Sequence, residues 1–404
     1  MQQSGLIITN EFPPYPGGIG VYNYQIALNL SKMNIPIVVV SPGRLHEIQY
    51  QTDDEFDSVQ PFPIYRLRSD RISWLRNTER IIKIINLCRA YNVGWILCGS
   101  LHAYKFALVC HYLLGIPYFV TGYGSEFLQS SRLQKIASGK AAGLFAISKY
   151  TGHLMESAVN HPVSVIPIGA DHRVYDPALV SIPTIEQFCE SYAIDGAPIL
   201  VSVGRLNQRK GHHVTLAALP SIKEQFPNVQ LVIVGRSVEG EEGYEASLQR
   251  FIVEHGLEAT VRIIPTLTTD ELRTLYALSD LFILSSVPTN REVEGFGIVL
   301  IEANLMGKPV VAASTGGITD AVEDGKSGYL YTCGDVHDLA QKVLKILNDD
   351  SLCRELGEYG RTRALKSYTW EAVTRATWQQ IVLKAPTLKV STNLRGEYQK
   401  EDGE

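Results

Sequence analysis

The sequence predicts an α/β protein with two doubly wound domains that face each other across a cleft. Its 404 residues exceed what a single hydrophobic core usually serves, which indicates two domains of similar size. Short β-rich apolar runs alternate with longer amphipathic stretches along the chain. These apolar runs are continuous rather than alternating, which is typical of strands buried on both faces of a parallel sheet.

Each half of the chain repeats this alternation of strand and helix. The first half contains six predicted strands, at 6–9, 35–41, 95–98, 118–121, 144–147 and 163–168. The pattern restarts after Pro198, with predicted strands at 199–203, 229–234, 261–264, 281–284, 309–312 and 329–331. Helical segments such as 269–278 and 336–347 separate these strands. Two successive series of strand–helix units predict one parallel sheet in each half.

A stretch that contains several prolines marks the predicted domain boundary. Pro177, Pro183 and Pro198 interrupt residues 171–198, where the periodicity is weak, and we interpret this stretch as a linker. The predicted domains are therefore 1–180 and 181–368, followed by a helix at 369–385. The polar tail at 386–404 is expected to be disordered and to carry no chemistry.

The composition excludes several classes of protein. The hydrophobic share is 45% and the charged share is 20%, both typical of a soluble globular protein. A net charge of −5 lacks the basic balance of a nucleic-acid-binding protein. The six cysteines are scattered without a Cys-x-x-Cys pair, as expected of free thiols in a reducing compartment. Without a secretion signal or an apolar run of about eighteen residues, the sequence indicates a cytoplasmic protein.

The most informative motif is the segment Glu-Gly-Phe-Gly-Ile-Val-Leu-Ile-Glu at 294–302. It follows a predicted strand and leads into a helix, whose N-terminal amides and dipole favour an anion. Glycines at 295 and 297 allow the backbone to approach a ligand closely. Eight residues of helix span about 12 Å, so one extended ligand can contact both Glu294 and Glu302. The alternative is a helix N-terminus that carries acids only to complement its dipole.

A second motif, Gly-Arg-Leu-Asn-Gln-Arg-Lys-Gly at 204–211, follows the predicted strand 199–203. Its cations therefore lie at the carboxyl end of a parallel strand, where α/β folds bind ligands. Arg205 can bind a phosphate through two hydrogen bonds, and Lys210 supplies a point charge. Such a pair can replace a metal ion in stabilising a departing diphosphate, and no metal site is predicted. Alone, the motif could also be a solvated basic turn.

A third motif, Pro-Pro-Tyr-Pro-Gly-Gly-Ile-Gly at 13–20, lies between the first predicted strand and the helical stretch 21–30. A glycine-rich turn at this place is the expected phosphate-approaching element of a doubly wound domain. Neither domain opens with a clear Gly-x-Gly-x-x-Gly and a ribose-binding acid about 20 residues later. This argues against a dinucleotide-dependent dehydrogenase.

Residues 65–91 form a basic stretch with Trp74 and Leu75 at its centre. Its cations outnumber the acidic residues Asp70 and Glu79, and they are Arg66, Arg68, Arg71, Arg76, Arg80, Lys83 and Arg89. A basic amphipathic face with an aromatic residue can rest on an anionic membrane and receive a lipid-linked acceptor. The alternative is a solvated helix face beside an acceptor site.

Taken together, these motifs resemble the ordered landmarks of glycosyltransferase family 4. The landmarks span nearly the whole predicted fold and are Pro-Pro-x-x-Gly-Gly at 13–18, Ser-Lys-Tyr-Thr at 148–151, Ile-Pro-Ile-Gly-Ala-Asp at 166–171, Gly-Arg at 204–205 with Lys-Gly at 210–211, the acidic motif at 294–302, and Tyr-Thr-Trp-Glu at 368–371. The resemblance implies the GT-B arrangement of two Rossmann-like domains. It also implies that the C-terminal helix packs back on the first domain.

The resemblance further implies a retaining, metal-independent transfer of a hexose from a UDP- or GDP-sugar. Glu294 would contact the sugar, Glu302 the ribose, and Arg205 with Lys210 the diphosphate. Backbone groups would add hydrogen bonds, at Gly17, Gly18, Phe296, Gly297 and Ile298. The nucleotide sugar is a substrate, so no cofactor is implied. The acceptor would be a glycan, a glycolipid or another small molecule, held by the first domain.

One departure from the family pattern concerns Tyr123. Family members commonly have His-Gly-x-Glu or His-Gly-x-Asp here, whereas this chain has Tyr-Gly-Ser-Glu at 123–126. A tyrosine reaches further than a histidine and stays neutral at pH 7. We expect its hydroxyl to face the cleft and to take over the positioning part of the histidine's role. His102 is a second candidate in this region, although an ordinary loop histidine is the simpler interpretation.

Two other functions fit parts of this pattern. A catalytically silent nucleotide-sugar-binding subunit would explain Tyr123, but such a protein would seldom retain Arg205, Lys210, Glu294 and Glu302 together. A GT-B sugar-nucleotide epimerase or a phosphorylase would share the fold. The family-4 form of the acidic motif, paired with Gly-Arg-x4-Lys-Gly, favours a transferase over both.

Overall fold

The computed structural model describes residues 2–15, 17–43, 52–67, 73–127, 130–237, 240–289 and 292–389. Most of the predicted tail, from residue 390 onward, lies outside the described residues. Contacts divide the chain into two compact units. The first unit comprises Met1–Gly169 and Trp370–Glu404, and the second comprises Ala170–Thr369.

The first unit contains a parallel sheet of seven strands in the order β3-β2-β1-β4-β5-β6-β7. Its strands are β1 (Ser4–Ile8), β2 (Ile37–Ser41), β3 (Ile64–Arg66), β4 (Val93–Cys98), β5 (Tyr118–Gly122), β6 (Gly143–Ala146) and β7 (Val163–Val165). Its helices are α1 (Gly18–Lys32), α2 (Asp53–Ser58), α3 (Ser73–Ala90), α4 (Tyr104–Leu114), α5 (Arg132–Gly139), α6 (Lys149–Val159) and, from the C-terminus, α15 (Trp370–Lys384).

Helices cover both faces of this sheet. One core cluster joins the sheet to α3, α4 and α6 through residues such as Ile84, Phe106 and Met155. The other cluster joins it to α1 and α15. In that cluster the rings of Trp95 and Trp378 lie 5.7 Å apart. The expected packing of the C-terminal helix on the first domain is therefore confirmed.

The second unit contains a parallel sheet of six strands in the order β10-β9-β8-β11-β12-β13. Its strands are β8 (Ile199–Val203), β9 (Gln230–Val234), β10 (Val261–Ile264), β11 (Leu281–Leu284), β12 (Val310–Ala313) and β13 (Gly328–Tyr331). Its helices are α7 (Ile182–Tyr192), α8 (His212–Gln225), α9 (Glu242–Glu254), α10 (Thr269–Leu278), α11 (Ile298–Leu305), α12 (Ile318–Ala321), α13 (Val336–Leu347) and α14 (Asp350–Ser367).

The predicted fold class is confirmed, because each unit is a parallel sheet with helices. In both sheets the strand order reverses beside the first strand of the unit. The reversal lies between β1 and β4 in the first unit and between β8 and β11 in the second. In folds of this kind, ligands bind outside the carboxyl ends of the strands at such a point.

The structure divides the chain earlier than the sequence suggests. The division falls between Gly169 and Ala170, whereas the proline-containing stretch predicts it at residue 180. Helix α7 occupies part of the segment interpreted as a linker. Ser181 caps this helix and Pro183 lies in its first turn, where a missing N–H costs no hydrogen bond. The proline is therefore part of a helix start rather than of a linker.

Two landmark motifs have local structural roles. Ser148 is buried and caps α6 by accepting a hydrogen bond from the Thr151 amide at 3.1 Å. Gly169 lies against Trp370, and a Cβ atom at this position would lie 2.8 Å from the indole ring. Capping thus explains Ser148, and packing explains Gly169.

Candidate active site

Two loops of the second unit meet where its strand order reverses. One loop follows β8 and the other follows β11, which is the neighbour of β8 in the sheet. All candidate site residues predicted for this unit lie on these two loops or on α11. The sequence motifs are therefore brought to the part of the fold that ordinarily binds ligands.

The loop after β8 is a tight turn that fixes the position of Lys210. Asn207 caps the 3-10 helix Gln208–Lys210, and its side chain accepts a hydrogen bond from the Lys210 amide at 3.1 Å. Gly211 follows with a φ of 67°, and a Cβ atom there would lie 1.7 Å from the carbonyl oxygen of Ser285. The Lys-Gly pair of the motif therefore requires its glycine for steric reasons.

Glu294 lies between two cations. Lys210 Nζ donates to its Oε2 atom at 2.7 Å, and Arg209 Nη1 donates to the same oxygen at 2.5 Å. All three side chains are mostly buried. Burial alone would raise the pKa of Glu294, but Lys210 and Arg209 outweigh it and hold the pKa at about 2. The carboxylate is therefore ionised at neutral pH.

Sequence reasoning missed Arg209. The structure places it on Glu294 and also 3.2 Å from Glu292, whereas Arg205 was the predicted partner of Lys210. The Arg205 side chain is exposed and forms no ion pair with the described residues. Two adjacent cations just before a glycine were the available signal, but only the geometry of the turn shows that both reach one carboxylate.

Helix α11 begins at the candidate ligand site without a side-chain cap. Gly297 precedes it with a φ of 86°, so the backbone turns there in a conformation that favours glycine. Ile298 is the first helical residue, and its amide lies at an N-terminus that favours an anion. Phe296 is 1% exposed and packs on Tyr368, so its side chain is not available to a ligand.

Glu302 lies one turn into α11 beside two tyrosines. Tyr276 donates its hydroxyl to Oε2 at 3.1 Å, and Tyr175 is a second hydroxyl partner of the carboxyl group. Burial raises the pKa of Glu302 to about 7, although both hydroxyls oppose this shift. The group therefore exchanges its proton near neutral pH. Tyr175 was not predicted, because it lies in the stretch interpreted as a linker.

A buried histidine braces the loop after β8. His212 Nε2 lies 3.3 Å from the Gly204 carbonyl oxygen, and Nδ1 lies 3.2 Å from Ser202 Oγ. Because a carbonyl can only accept, Nε2 carries the proton and Nδ1 accepts from the serine. Burial lowers the pKa of His212 to about 4, so the ring is neutral. The Lys210 stem lies over Gly204, whose added Cβ would be 3.2 Å from Lys210 Cδ.

The glycine-rich loop of the first unit follows β1. Gly17 is the N-cap of α1 and Gly18 is its first residue, and no side chain caps this helix. A Cβ atom at Gly17 would lie 2.5 Å from Glu11 Oε2, whereas the space beside Gly18 is open. The backbone of Gly17 and Gly18, two of the predicted site residues, is therefore not occupied by a side-chain cap. Pro16 lies outside the described residues.

Tyr123 is held by the first unit itself. Its hydroxyl donates to the Gly99 carbonyl oxygen at 3.1 Å, and Asn23 Nδ2 donates to the same oxygen at 2.9 Å. Its ring packs edge-on against Tyr22 at 5.3 Å. Burial and the nearby Tyr22 raise the pKa of Tyr123 well above its usual value, so the phenol is neutral. The hydroxyl thus ties the loop after β5 to the loop after β4, and its predicted contact with a ligand stays a prediction.

The second candidate, His102, and the neighbouring Glu126 have different surroundings. Glu126 accepts a hydrogen bond from the Tyr123 amide at 2.5 Å, and burial raises its pKa. His102 is exposed in the short 3-10 helix Leu101–Ala103, which follows β4. Glu126 is therefore a bracing residue of this loop, whereas His102 is an exposed loop residue.

The basic stretch 65–91 is less available than its sequence suggests. Arg66 is 5% exposed and donates to Asp57 at 2.7 Å, and Lys83 pairs with Glu79 at 3.0 Å. Other residues of the stretch, or their side chains, lie outside the described part of the structure, namely Arg68, Asp70, Arg71, Trp74, Leu75 and Arg76. None of the helices in the described part is both long and apolar enough to cross a bilayer.

Two family models match most of the chain. Residues 16–174 match the model "Glycosyltransferase Family 4", and residues 185–363 match the model "Glycosyl transferases group 1". These ranges cover the candidate site residues of both units, and the gap between them includes the start of α7.

Relatives with curated functions and solved structures are similar to this chain over half of its length or more. A GDP-mannose-dependent alpha-(1-6)-phosphatidylinositol monomannoside mannosyltransferase of Mycobacterium tuberculosis is 26% identical over 91% of this chain and 95% of its own. A D-inositol 3-phosphate glycosyltransferase of Corynebacterium jeikeium is 34% identical over 53% of this chain and half of its own. Anabaena HepE, crystallised with UDP, superimposes with a TM-score of 0.79 at 19% identity, over 94% of this chain and 100% of that one.

Proposed function

We propose that this chain, which belongs to the family 4 glycosyltransferases of the GT-B fold, transfers a hexose from a UDP- or GDP-sugar with retention and without a bound metal ion. The observation that carries this proposal is the cluster of Glu294, Arg209 and Lys210 where the second sheet reverses its strand order. It places fixed positive charge beside an ionised carboxylate in the ordinary ligand position of the fold.

The cations of the second unit would stabilise the leaving diphosphate. Negative charge accumulates on this group as the bond to the sugar breaks, and preorganised cations act most strongly on charge that develops in the transition state. Lys210 is fixed by the turn at Gly211, and Arg205 has an exposed guanidinium without an ion-pair partner in the described structure. Arg209 would hold Glu294 in place while Lys210 contacts the phosphate.

The two glutamates would hold opposite ends of the donor. Glu294 lies in the loop before α11 and would accept hydrogen bonds from sugar hydroxyls near the reacting carbon. Glu302 lies one turn into α11 and would accept hydrogen bonds from the ribose hydroxyls. The uncapped amides around Ile298 lie between them along the chain and would bind the diphosphate.

Retention is proposed from the chemistry of this arrangement. The low pKa of Glu294 makes it a poor general base, because its carboxylate is already paired with two cations. Attack from the face that the leaving group vacates would let a phosphate oxygen take the acceptor proton. The step would break the bond between the anomeric carbon and the phosphate oxygen and form one to the acceptor oxygen.

The proposed acceptor is lipid-linked, with glycans and small molecules as the other possibilities for the first unit. Relatives that align over 91% of this chain use GDP-mannose and a phosphatidylinositol mannoside, which supports a mannosyl donor and a lipid-linked acceptor. HepE shares the fold and has been crystallised with UDP and with UDP-glucose, so both bases belong in a donor screen. Work on such an acceptor would place the protein in the cytoplasm, on the inner face of a membrane.

A donor screen followed by product analysis tests this function. Thermal shift with GDP-mannose, UDP-glucose and related donors should raise the melting temperature of the wild type in proportion to binding. NMR of the product from the best donor should show the anomeric configuration of that donor. Lys210→Ala should form product far more slowly, whereas Arg250→Ala, which changes an exposed cation on α9, should behave as wild type. An inverted product would contradict the proposed mechanism.

A further inference from the structure

We infer that the outer surface of α3, α4 and α5 in the first unit docks on an anionic lipid membrane. This surface, here named the lipid-facing surface, consists of Ile82, Tyr112, Leu113, Leu133 and Ile136 with the cations Arg132 and Lys135. The inference rests on the proposed lipid-linked acceptor, which is presented at a membrane surface. It places the docking surface mainly outside residues 65–91.

The apolar part of the surface is unusually exposed. All five of its large hydrophobic side chains are between 51 and 68% exposed. They lie on three neighbouring helices, because α3 packs beside α4 and α4 packs beside α5. In the second unit, exposed hydrophobic residues include Val253 on α9 and the pair Leu179 and Ile182 near the N-terminal end of the unit. A set of exposed apolar side chains on adjacent helices is the usual mark of an interaction surface.

The charge of this region complements an anionic bilayer. Residues 80–155 contain one acidic residue, Glu126, and eight cations, which are Arg80, Lys83, Arg89, Lys105, Arg132, Lys135, Lys140 and Lys149. The segment thus carries a net +7 in a chain whose total is −5. Glu126 faces its own loop, where it accepts a hydrogen bond from the Tyr123 amide. Arg132 and Lys135 on α5 and Lys140 directly after it are exposed, so these cations can contact anionic lipid headgroups.

Helix α5 combines both features in its first two turns. Leu133 and Ile136 are three residues apart and therefore neighbours on the helix surface. Arg132 directly precedes Leu133, and Lys135 directly precedes Ile136. All four side chains are exposed. The helix is fixed by a capping box between Ser131 and Gln134. Leucine and isoleucine between cations are the composition of an interfacial helix whose apolar side chains enter the bilayer.

Vesicle sedimentation tests this inference. Wild-type protein should sediment with vesicles of phosphatidylserine and phosphatidylcholine at low salt, and much less with phosphatidylcholine alone. Arg132→Gln with Lys135→Gln should lower the partition coefficient roughly thirtyfold, since each charge near such a surface contributes about 1 kcal/mol. Leu133→Ser with Ile136→Ser should also weaken binding, including at high salt where charge is screened.

The matched control removes one exposed cation and one exposed hydrophobic residue from the second unit, as Arg250→Gln with Val253→Ser on α9. This variant should bind vesicles as the wild type does. Surface variants that bind like the wild type would overturn the inference. The inference would also be overturned if light scattering showed that the wild type is a dimer and that these variants are monomers. The surface would then bind a second copy of the chain.

Turnover with a water-soluble acceptor analogue separates this inference from the proposed function. The lipid-facing variants should keep the wild-type rate on that acceptor and lose activity only on acceptors presented in anionic vesicles. If the protein binds vesicles but has no transferase activity, the docking surface is supported and the proposed function is contradicted. Equal losses on both acceptors would overturn the docking role.

Discussion

The loops at the carboxyl ends of the two sheets are built from different chemistry. In the second unit, Lys210 and Arg209 surround the ionised Glu294, and their mutual attraction holds the pKa of the carboxyl group at about 2. In the first unit, Asn23 and Tyr123 both donate to the Gly99 carbonyl oxygen, and Glu126 accepts a hydrogen bond from the Tyr123 amide. One topology therefore supports paired cations and a carboxylate in one unit, and loops held by backbone and neutral hydrogen-bonding groups in the other.

This difference follows the chemistry of the two proposed substrates. A nucleotide diphosphate sugar carries negative charge that grows during the reaction, so its site needs fixed cations. An acceptor contributes a neutral hydroxyl group, which hydrogen bonds can position without charge. We therefore expect variants of the second unit to affect donor binding and turnover, and variants of the first unit to affect the acceptor.

The largest effect is expected from Glu294→Gln. This variant removes the proposed charged partner of the sugar and leaves Arg209 and Lys210 without their carboxylate, so turnover should fall about a hundredfold or more. The affinity for the free nucleotide diphosphate should change far less in calorimetry. Glu292→Gln is a matched control, because Glu292 also pairs with Arg209 but is mostly exposed. Equal losses in nucleotide affinity and turnover would show that Glu294 does not act at the sugar end.

A smaller effect, a roughly tenfold change in donor affinity, is expected from the protonation of Glu302. Burial raises its pKa to about 7, and the ionised form is the stronger acceptor for the proposed hydrogen bonds from the ribose hydroxyls. Its ionised fraction rises about tenfold from pH 6 to pH 8, so donor affinity should rise by a similar factor. Calorimetry with the intact nucleotide sugar avoids the titration of a terminal phosphate.

The control for this pH dependence is Glu302→Gln, which keeps the shape of the side chain but has no proton to lose. Its donor affinity should be low and nearly constant from pH 6 to pH 8. A variant with the same pH dependence as the wild type would exclude Glu302 as the titrating group.

The smallest effect is expected from Tyr123→Phe in the first unit. The lost hydrogen bond to Gly99 should cost about 1 kcal/mol of unfolding free energy, and turnover should fall three- to tenfold. The loss should appear as a higher KM for the acceptor, with donor affinity unchanged. Tyr359→Phe is the matched control, because Tyr359 is exposed on α14 of the second unit and its hydroxyl donates to Glu323 there. A change in donor affinity would contradict the division of roles between the units.

Much of this organisation could be predicted from the sequence. Continuous apolar runs gave strands close to those observed, since a strand buried on both faces has little choice of residue type. The glycines of the motifs were also informative. Gly211 and Gly297 adopt positive φ angles, and the first also lies against the Ser285 backbone. Local constraints of this kind are visible in a single sequence.

The remainder depends on side-chain directions and on contacts between distant segments. Arg209 and Arg205 are equivalent in the sequence motif, but only Arg209 reaches Glu294 from the 3-10 turn. Tyr175 hydrogen-bonds Glu302 from a segment far away in sequence. Arg66 was counted with a basic surface, although it is buried against Asp57. No local pattern specifies such pairings, because they are set by packing.

The central claim is that the cations of the second unit take the place of a metal ion in stabilising the leaving diphosphate. The most direct test measures turnover of the wild type, Arg205→Ala and Lys210→Ala, each with excess EDTA and with added Mg²⁺. We predict that each variant loses about two orders of magnitude or more under both conditions, and that EDTA leaves the wild type nearly unchanged. Strict dependence of the wild type on a divalent metal, with both cations dispensable, would contradict the claim.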